Sequence, residues 1–327
     1  MRQIILQHPG TFVGEQAEPP ALGPGEALVR VHRIGVCGTD LHAFTGRQPY
    51  FTYPRILGHE LGVEVVQVSP GDHGLKPGDR CAVEPYLNCG HCHACRVGKP
   101  NCCEELKVLG VHTDGGMRGL IALPAHLLYK SDRLTLDQLA LVEMLGVGQH
   151  AVERSGLKAG EEVLVVGAGP IGLSVVQFAL AAGGKVRVLD MAPERRRFAE
   201  RFGVEVLEPG AERCAEVVFD ATGSAGAMQN SFQLVAHGGR LVFVGLSPSM
   251  IAFDDALFHR RELTLLATRN SHQAFPKIMA LIGTGRIDTT PWITNRLGLA
   301  EVPRAFDSLP GRAGLIKAMI EVEDTDL

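Results

Sequence analysis

Four cysteines lie close together in the sequence with a spacing that suits a metal ion. Cys89, Cys92, Cys95 and Cys103 follow the pattern C-x2-C-x2-C-x7-C, and four thiolates with two-residue gaps can surround one tetrahedral zinc. An iron–sulfur cluster is the alternative, because thiolate spacing alone does not exclude iron. Cys102 stands beside Cys103 and leaves the fourth ligand ambiguous by one residue. The spacing predicts a structural zinc, whose closed coordination leaves no position for a substrate.

A glycine-rich turn stands between an apolar strand and a helical run. Val163–Val166 leads into Gly167-Ala168-Gly169-Pro170-Ile171-Gly172, and Asp190 ends the next predicted strand. The first glycine permits a tight turn, the second lets a pyrophosphate approach the backbone, and the third allows close helix packing. The helix N-terminus would face the phosphate charge. This context predicts a dinucleotide-binding turn rather than a structural glycine turn.

The residues around this turn also indicate which dinucleotide binds. Asp190 would accept hydrogen bonds from the adenosine ribose hydroxyls and repel a 2′-phosphate, so NAD is favoured over NADP. Arg195 begins a basic run that is either a solvated helix face or, at Arg195 itself, a contact to the ribose or a phosphate. The predicted cofactor-binding residues are Gly167, Gly169, Pro170, Ile171, Gly172, Asp190, Arg195 and Thr222.

A second set of possible metal donors is spread over the first half of the chain. Cys37 and His59 supply two of the about three protein ligands that a catalytic zinc takes while one position stays open. Each of them alone is more often a buried core residue. Glu60 follows His59 directly, and in a regular strand the two side chains would point to opposite faces. Joint ligation therefore requires a turn between them.

Together these motifs resemble the zinc-containing medium-chain alcohol dehydrogenases, particularly the branch with sorbitol, threonine, glucose and butanediol dehydrogenases. The resemblance covers nearly the whole chain. It runs from the loop Gly35-Val36-Cys37-Gly38-Thr39-Asp40 through the four cysteines and the glycine-rich turn to the C-terminal segment.

The resemblance implies roles for the second donor set. Cys37 and His59 bind the catalytic zinc, Glu60 is a ligand in the polyol branch, and Glu143 matches an acid held near the metal or its water. The alternatives are an ion pair for Glu60 and a local capping or pairing role for Glu143. The chain reads Glu143-Met144-Leu145 where the family commonly has Glu-Pro-Leu, which puts the local backbone in question.

The resemblance further implies the reaction. Zinc activates the hydroxyl of a secondary alcohol, such as a polyol or sugar acid, and hydride passes to NAD to leave a ketone. Thr39 and His42 match a hydroxyl-to-imidazole relay that carries the proton to solvent, with a loop hydrogen bond and a surface histidine as the alternative. Family members are homo-oligomers, either dimers or tetramers. The competing functions are a non-catalytic NAD- and zinc-binding regulatory or structural homologue, and a zinc-free quinone reductase.

The elements that must position these residues fall into two regions. Short alternating runs such as Ala27–His32, separated by Pro-Gly turns, predict a mainly antiparallel β domain in the first region. From about Gly160, apolar strands alternate with helical stretches, which predicts a parallel α/β domain. We expect a GroES-like catalytic domain with the four-cysteine zinc lobe over residues 1–147 and 292–327, and a doubly wound Rossmann NAD-binding domain over residues 148–291.

Composition excludes several classes of partner. A net charge of −4 provides no basic footprint for nucleic acid. The charge-free segment Val163–Gly184 is long enough to suggest a membrane span, but its glycines and Pro170 indicate a buried strand, a turn and a buried helix instead. The apolar run at the N-terminus is too short for a secretory signal, and the clustered cysteines suit a reducing compartment. The sequence therefore predicts a cytoplasmic enzyme that acts on a small-molecule alcohol, with no nucleic-acid or membrane partner.

Overall fold

The computed structural model describes residues 1–49, 51–71, 74–210 and 214–327. The chain divides into two compact units: unit 1 holds Met1–Glu143 and Phe275–Leu327, and unit 2 holds Met144–Ala274. In chain order the strands are β1 Arg2–His8, β2 Thr11–Gln16, β3 Glu26–Val36, β4 Glu60–Val68, β5 Arg80–Val83, β6 Tyr86–Leu87, β7 Lys107–Val108, β8 Leu120–Pro124, β9 Leu128–Lys130, β10 Glu162–Val166, β11 Lys185–Leu189, β12 Glu205–Leu207, β13 Ala215–Asp220, β14 Val235–Phe243, β15 Thr264–Ala267, β16 Ile293–Gly298 and β17 Lys317–Glu321. The helices are α1 Gly38–Phe44, α2 His93–Arg96, α3 Leu136–Ser155, α4 Pro170–Ala181, α5 Pro193–Ala199, α6 Ala225–Ser231, α7 Asp255–Arg260, α8 Phe275–Gly283 and α9 Val302–Ala305.

Unit 1 is built on a mainly antiparallel sheet. Its strand order is β16-β17-β3-β4-β5-β9, and β8 pairs with β3 beside this path. Along the first half of β3 buried and half-buried residues alternate, as a strand with one face on the core requires. The C-terminal strand β17 pairs with β3, with Ala318 opposite Val36. The last part of the chain therefore completes the same sheet that carries the N-terminal metal donors.

Unit 2 is a parallel six-stranded sheet in the order β12-β11-β10-β13-β14-β15. Numbered within the unit this order is 3-2-1-4-5-6, the doubly wound arrangement that binds dinucleotides at the point where the strand order reverses. Buried residues fill β10 and β13, because parallel strands in such a sheet are covered on both faces. The predicted α/β domain is confirmed.

The boundaries between the units differ from the predicted ones. The first lies at residue 143 rather than 147, inside the continuous helix α3, where the sequence shows no break. The second lies at residue 274 rather than 291, because α8 belongs to unit 1. The Phe275 ring at the start of α8 packs 5.0 Å from the Tyr129 ring of β9. Helix α8 follows the alternating strands and helices of unit 2 in the sequence, but it packs on unit 1.

The charge-free segment Val163–Gly184 forms β10, a turn and α4, as predicted. Within the described ranges, no helix has both the length and the apolar character that a membrane crossing demands. The segment is instead the central strand and first helix of the parallel sheet.

Candidate metal centres and cofactor site

The four predicted zinc-binding cysteines converge in a small lobe of unit 1. The sulfur atoms of Cys89, Cys92, Cys95 and Cys103 all lie within 4.8 Å of one another. The backbone N–H groups of Cys89 and Cys92 point to the sulfurs of Cys103 and Cys89, both at 3.3 Å. Of the two adjacent cysteines, Cys103 is buried in this cluster and Cys102 is exposed. The geometry suits one tetrahedral zinc with Cys103 as the fourth donor.

Local charge in the lobe also favours a cation. Backbone N–H groups of Cys95 and Glu104 lower the pKa of the Cys92 thiol to about 6. Burial and the neighbouring thiol of Cys92 raise the pKa of Cys95 to about 12. A thiolate forms readily at one position, whereas further thiolates beside it are disfavoured unless a positive ion offsets their charge.

The second donor set also comes together. The ligand atoms of Cys37, His59 and Glu60 lie within 4.8 Å of one another. Cys37 caps the N-terminus of α1, and His59 stands between Gly58 and the start of β4. Gly58 adopts a φ of +96°, and a Cβ at this glycine would lie 2.9 Å from Ile34. Because His59 precedes the regular strand, strand alternation does not separate its side chain from that of Glu60.

Asp40 completes the surroundings of His59 and was not among the residues singled out from the sequence. Its Oδ1 lies 3.9 Å from His59 Nδ1, and its Oδ2 accepts a hydrogen bond from the Cys37 N–H at 2.8 Å. Burial raises the pKa of the Asp40 carboxyl, although His59 and the Cys37 N–H oppose this rise. Burial disfavours a charged imidazole, yet Cys37 and Asp40 raise the pKa of His59 well above its usual value. At 3.9 Å the Asp40 and His59 atoms are too far apart for a hydrogen bond, and among the described residues neither atom has a hydrogen-bond partner.

Glu60 is held by a lysine from the far end of the chain. Lys317 Nζ donates to Glu60 Oε1 at 2.7 Å, to Glu60 Oε2 at 2.8 Å and to the carbonyl of Val36 at 3.0 Å. The pair reaches across β3 at Gly35, where a Cβ would lie 2.1 Å from Glu60 Oε2. Burial alone would lower the pKa of Lys317, but Glu60 and Cys37 raise it above its usual value. Glu60 therefore forms the ion pair that was predicted as its alternative role. Its carboxylate also lies close to Cys37 and His59.

Glu143 is held by a different donor. The Tyr86 hydroxyl donates a short hydrogen bond to Glu143 Oε1, and both side chains are buried. Burial raises the pKa of Glu143, although His59 and the Tyr86 hydroxyl lower it. Glu143 therefore lies within electrostatic range of His59, whereas Glu60 belongs to the tighter donor group with Cys37 and His59.

The second donor set is surrounded by buried acidic side chains. Asp40, Glu60 and Glu143 are buried near His59, and Lys317 pairs with Glu60. Isolated charges in a protein interior are costly unless they are paired or coordinate a metal. The sulfur, nitrogen and oxygen donors of Cys37, His59 and Glu60 fit a zinc ion with an open position.

The predicted proton relay lies on α1. Thr39 is half-buried and His42 is exposed, three residues apart on the helix, so that their side chains lie on one side. In the part of the chain that the structure describes, no direct hydrogen bond joins the two side chains. The relay therefore stays a prediction.

The glycine-rich turn borders a cavity in unit 2. The cavity has a volume of about 530 Å³ and lies at the carboxyl ends of β10, β11 and β13. It is lined by five of the predicted cofactor residues: Gly167, Gly169, Asp190, Arg195 and Thr222. Pro170, Ile171 and Gly172 form the first turn of α4. The strand order of unit 2 reverses here, between β10 and β13, where such sheets bind their dinucleotide.

Backbone hydrogen bonds fix the walls of this cavity. The Asp190 carboxylate accepts the Ala168 N–H at 2.6 Å and the Ala192 N–H at 2.8 Å. Thr222 donates through its backbone and hydroxyl to Asp220 at 2.9 and 2.7 Å. Arg195 is exposed at the cavity. The acid and the turn are held rigidly, whereas the arginine is able to adapt to a ligand.

Gly172 leaves no room for a side chain, and we expect Gly172→Ala to destabilise unit 2. A Cβ there would lie 1.7 Å from the carbonyl oxygen of Gly167, which is backbone and cannot move away cheaply. We expect a loss of about 2 kcal/mol in unfolding free energy, as for an overpacked core site. Gly226→Ala in α6 is the matched control, since nothing lies within 4 Å of its Cβ position. Denaturant unfolding of both variants is the measurement, and equal stabilities would contradict the close packing of α4 on the turn.

Comparison with known proteins agrees with both units. Residues 23–133 match the family described as alcohol dehydrogenase GroES-like domain, and residues 170–284 match zinc-binding dehydrogenase. The chain is 39% identical to L-galactonate-5-dehydrogenase of Escherichia coli (strain K12), with 98% of each chain covered.

Two solved structures share the fold over nearly the whole chain. A putative zinc-binding dehydrogenase from Sinorhizobium meliloti 1021, bound to NADP, has 30% identity and a TM-score of 0.92, with 98% of both chains covered. The short chain alcohol dehydrogenase (rspB) from Escherichia coli CFT073, complexed with NADH, has 26% identity and a TM-score of 0.92, with 98% of this chain and 99% of that chain covered. The predicted fold class is confirmed.

Proposed function

Because this chain belongs to the zinc-dependent medium-chain alcohol dehydrogenase family, we propose that it oxidises a secondary hydroxyl of a sugar acid to a ketone with NAD. The observation that carries the proposal is the donor set of half-buried Cys37 with buried His59 and Glu60. Similarity to L-galactonate-5-dehydrogenase supports a sugar acid rather than a simple alcohol. The non-catalytic alternative receives no support from these relatives, which are named as dehydrogenases.

We assign the catalytic zinc to Cys37, His59 and Glu60, with the Asp40 carboxyl lying beside the imidazole. When bound, zinc supplies a Lewis acid that lowers the pKa of the substrate hydroxyl. Lys317 holds the Glu60 carboxylate at the site, and Glu143 provides a second carboxylate for the metal or its water. Thr39 and His42 carry the released proton outward along α1.

The lobe cysteines hold the second zinc in a structural role. Cys89, Cys92, Cys95 and Cys103 provide four sulfur donors and leave no open position. A zinc-free quinone reductase would lack both this lobe and the second donor set of Cys37, His59 and Glu60. That alternative is therefore not supported.

We assign the nicotinamide dinucleotide to the cavity of unit 2. Gly167, Gly169 and the N-terminus of α4 face the pyrophosphate, with Pro170, Ile171 and Gly172 forming the first turn of that helix. Asp190 accepts the ribose hydroxyls, and Arg195 and Thr222 line the same space. The Asp190 carboxylate favours NAD, because a 2′-phosphate would bring negative charge against it.

The deciding experiment measures NAD reduction by the zinc-loaded protein. The substrates are L-galactonate, other sugar acids, polyols and simple secondary alcohols, each tested with NAD and NADP. We expect the highest kcat/KM with a sugar acid, and a preference for NAD of at least about tenfold, which corresponds to about 1.4 kcal/mol. Absence of turnover across the panel would contradict the reaction, and a preference for simple alcohols would overturn only the substrate class.

We also infer a homo-oligomer, a dimer or a tetramer, that works in the cytoplasm. The clustered thiol ligands support the compartment, since they stay reduced there. Light scattering on the purified protein measures the oligomeric state, and a monomer at micromolar concentration would contradict it.

A further inference from the structure

Tyr86 belongs to two sites at once. Its ring lies in the small apolar core of the zinc lobe, together with Cys92, Cys103 and Leu106. Its hydroxyl donates to Glu143 on α3, outside the lobe. Two of the residues around the ring are therefore lobe zinc donors, and the group at the end of the ring is a carboxylate beside the catalytic donor set.

The lobe has little to hold the ring in place without its metal. Its secondary structure consists of the two-residue strands β6 and β7, with Tyr86 opposite Val108, the four-residue helix α2 and the three-residue 3-10 helix Pro100–Cys102. A two-stranded pair is marginally stable by itself, and small metal lobes draw their order from the bound ion. The position of the Tyr86 ring therefore depends on the filling of the four-cysteine site.

Glu143 in turn depends on a hydrogen-bond donor. It lies within α3 and is 5% exposed, and the Tyr86 hydroxyl donates a hydrogen bond to its carboxylate. A buried carboxylate without a donor is costly, and a glutamate side chain has several rotamers available on a helix. The Tyr86 hydroxyl selects the rotamer in which Glu143 lies near His59.

We propose that Tyr86 is a positioning residue through which the structural zinc lobe holds Glu143 in place at the catalytic metal site. The lobe thereby acts on catalysis although none of its cysteines touches a substrate. This inference rests on the proposed role of Glu143 beside the catalytic zinc.

A double-mutant cycle with Tyr86→Phe and Glu143→Met tests the link, because each single variant removes one side of the hydrogen bond. Tyr86→Phe keeps the ring in the lobe and removes the hydroxyl. Tyr129→Phe is the matched control, because Tyr129 also donates to a glutamate of unit 1, Glu84, at 2.8 Å. The readouts are zinc content, the rate at which a chelator removes the more labile zinc, and kcat/KM for the best substrate.

We expect Tyr86→Phe to keep both zincs, to release the catalytic zinc on the order of tenfold faster and to lower kcat/KM on the order of tenfold, the usual range for a residue supporting a ligand. In the Glu143→Met background the same change should have no further effect, because methionine has no oxygen to accept a hydrogen bond from the Tyr86 hydroxyl. The proposal would be overturned if the effects of the two substitutions on zinc release and kcat/KM multiplied in the double variant. It would also be overturned if Tyr86→Phe behaved like Tyr129→Phe.

A second arm connects the link to the lobe. Cys95→Ser weakens the four-sulfur site, and we expect it to speed release of the catalytic zinc when Tyr86 is present but not in the Tyr86→Phe background. The same acceleration in both backgrounds would overturn the role of the lobe. Zinc release needs no turnover, so a wild-type protein that oxidises no alcohol would contradict the proposed function while the release rates still decide the inference.

Discussion

Replacement of His59 by alanine is expected to abolish alcohol oxidation while the lobe zinc stays bound. His59 is buried and forms the second donor set together with Cys37 and Glu60. Its loss leaves those two residues as protein ligands for the catalytic metal. Without the metal, the transition state loses stabilisation of about 4 kcal/mol, which corresponds to roughly a thousandfold in kcat/KM. Metal analysis and substrate turnover on the same sample measure both parts of the expectation.

The control for this variant is His126→Ala. His126 is an exposed histidine of the same unit, on the short turn before β9, and its removal changes no metal donor. We expect the control to retain wild-type zinc content and activity. A His59→Ala protein that keeps the catalytic zinc and oxidises alcohol at the wild-type rate would show that the donor set of Cys37, His59 and Glu60 does not hold the catalytic metal.

The residues that carry chemistry locally were predictable from the sequence. The cysteine spacing and the glycine-rich turn each lie within one short segment, so their geometry is set by a few backbone dihedrals. The strand argument required a departure from regular strand geometry at His59, and β4 begins only at Glu60, directly after it. These features depend on local conformation, which a sequence pattern encodes directly.

The supporting residues were not predictable, because they act over long sequence separations. Lys317 stands 257 residues from Glu60, and Tyr86 stands 57 residues from Glu143. A lone lysine near the C-terminus gives no signal until β17 is known to pair with β3. The same reason explains the boundary at Ala274, since the apolar face of α8 does not show which unit it covers. Gly35 offers a partial signal, because a glycine inside a strand often marks close approach of another group.

The other large effect is expected for Lys317→Met, on stability. Lys317 is 2% exposed, and its three donors are matched by both Glu60 oxygens and the Val36 carbonyl. Methionine fills a similar volume but leaves Glu60 as a buried carboxylate without its cation. Removal of one partner of a buried ion pair costs about 3–5 kcal/mol. Denaturant unfolding of the zinc-free protein is the measurement.

Lys185→Met is the control for this change. The side chains of Lys185 and its partner Glu162 are both exposed, and Lys185 Nζ lies 3.3 Å from a Glu162 carboxylate oxygen. An exposed pair of this kind contributes less than about 1 kcal/mol. A second comparison, Lys317→Met with Glu60→Gln, removes both charges and should recover part of the lost stability. No recovery in the double variant would show that the loss comes from packing rather than from an unpaired carboxylate.

The zinc-loaded form of Lys317→Met decides what Glu60 does. If Glu60 ligates the catalytic zinc, the bound ion offsets the carboxylate charge, and the variant should lose less stability with zinc than without it. If Glu60 only pairs with Lys317, the loss is the same in both forms, because the metal does not reach it. We expect the smaller loss with zinc, since a Glu60 oxygen lies within 4.8 Å of the donor atoms of Cys37 and His59. Equal losses would leave Glu143, held by Tyr86, as the carboxylate that completes the site.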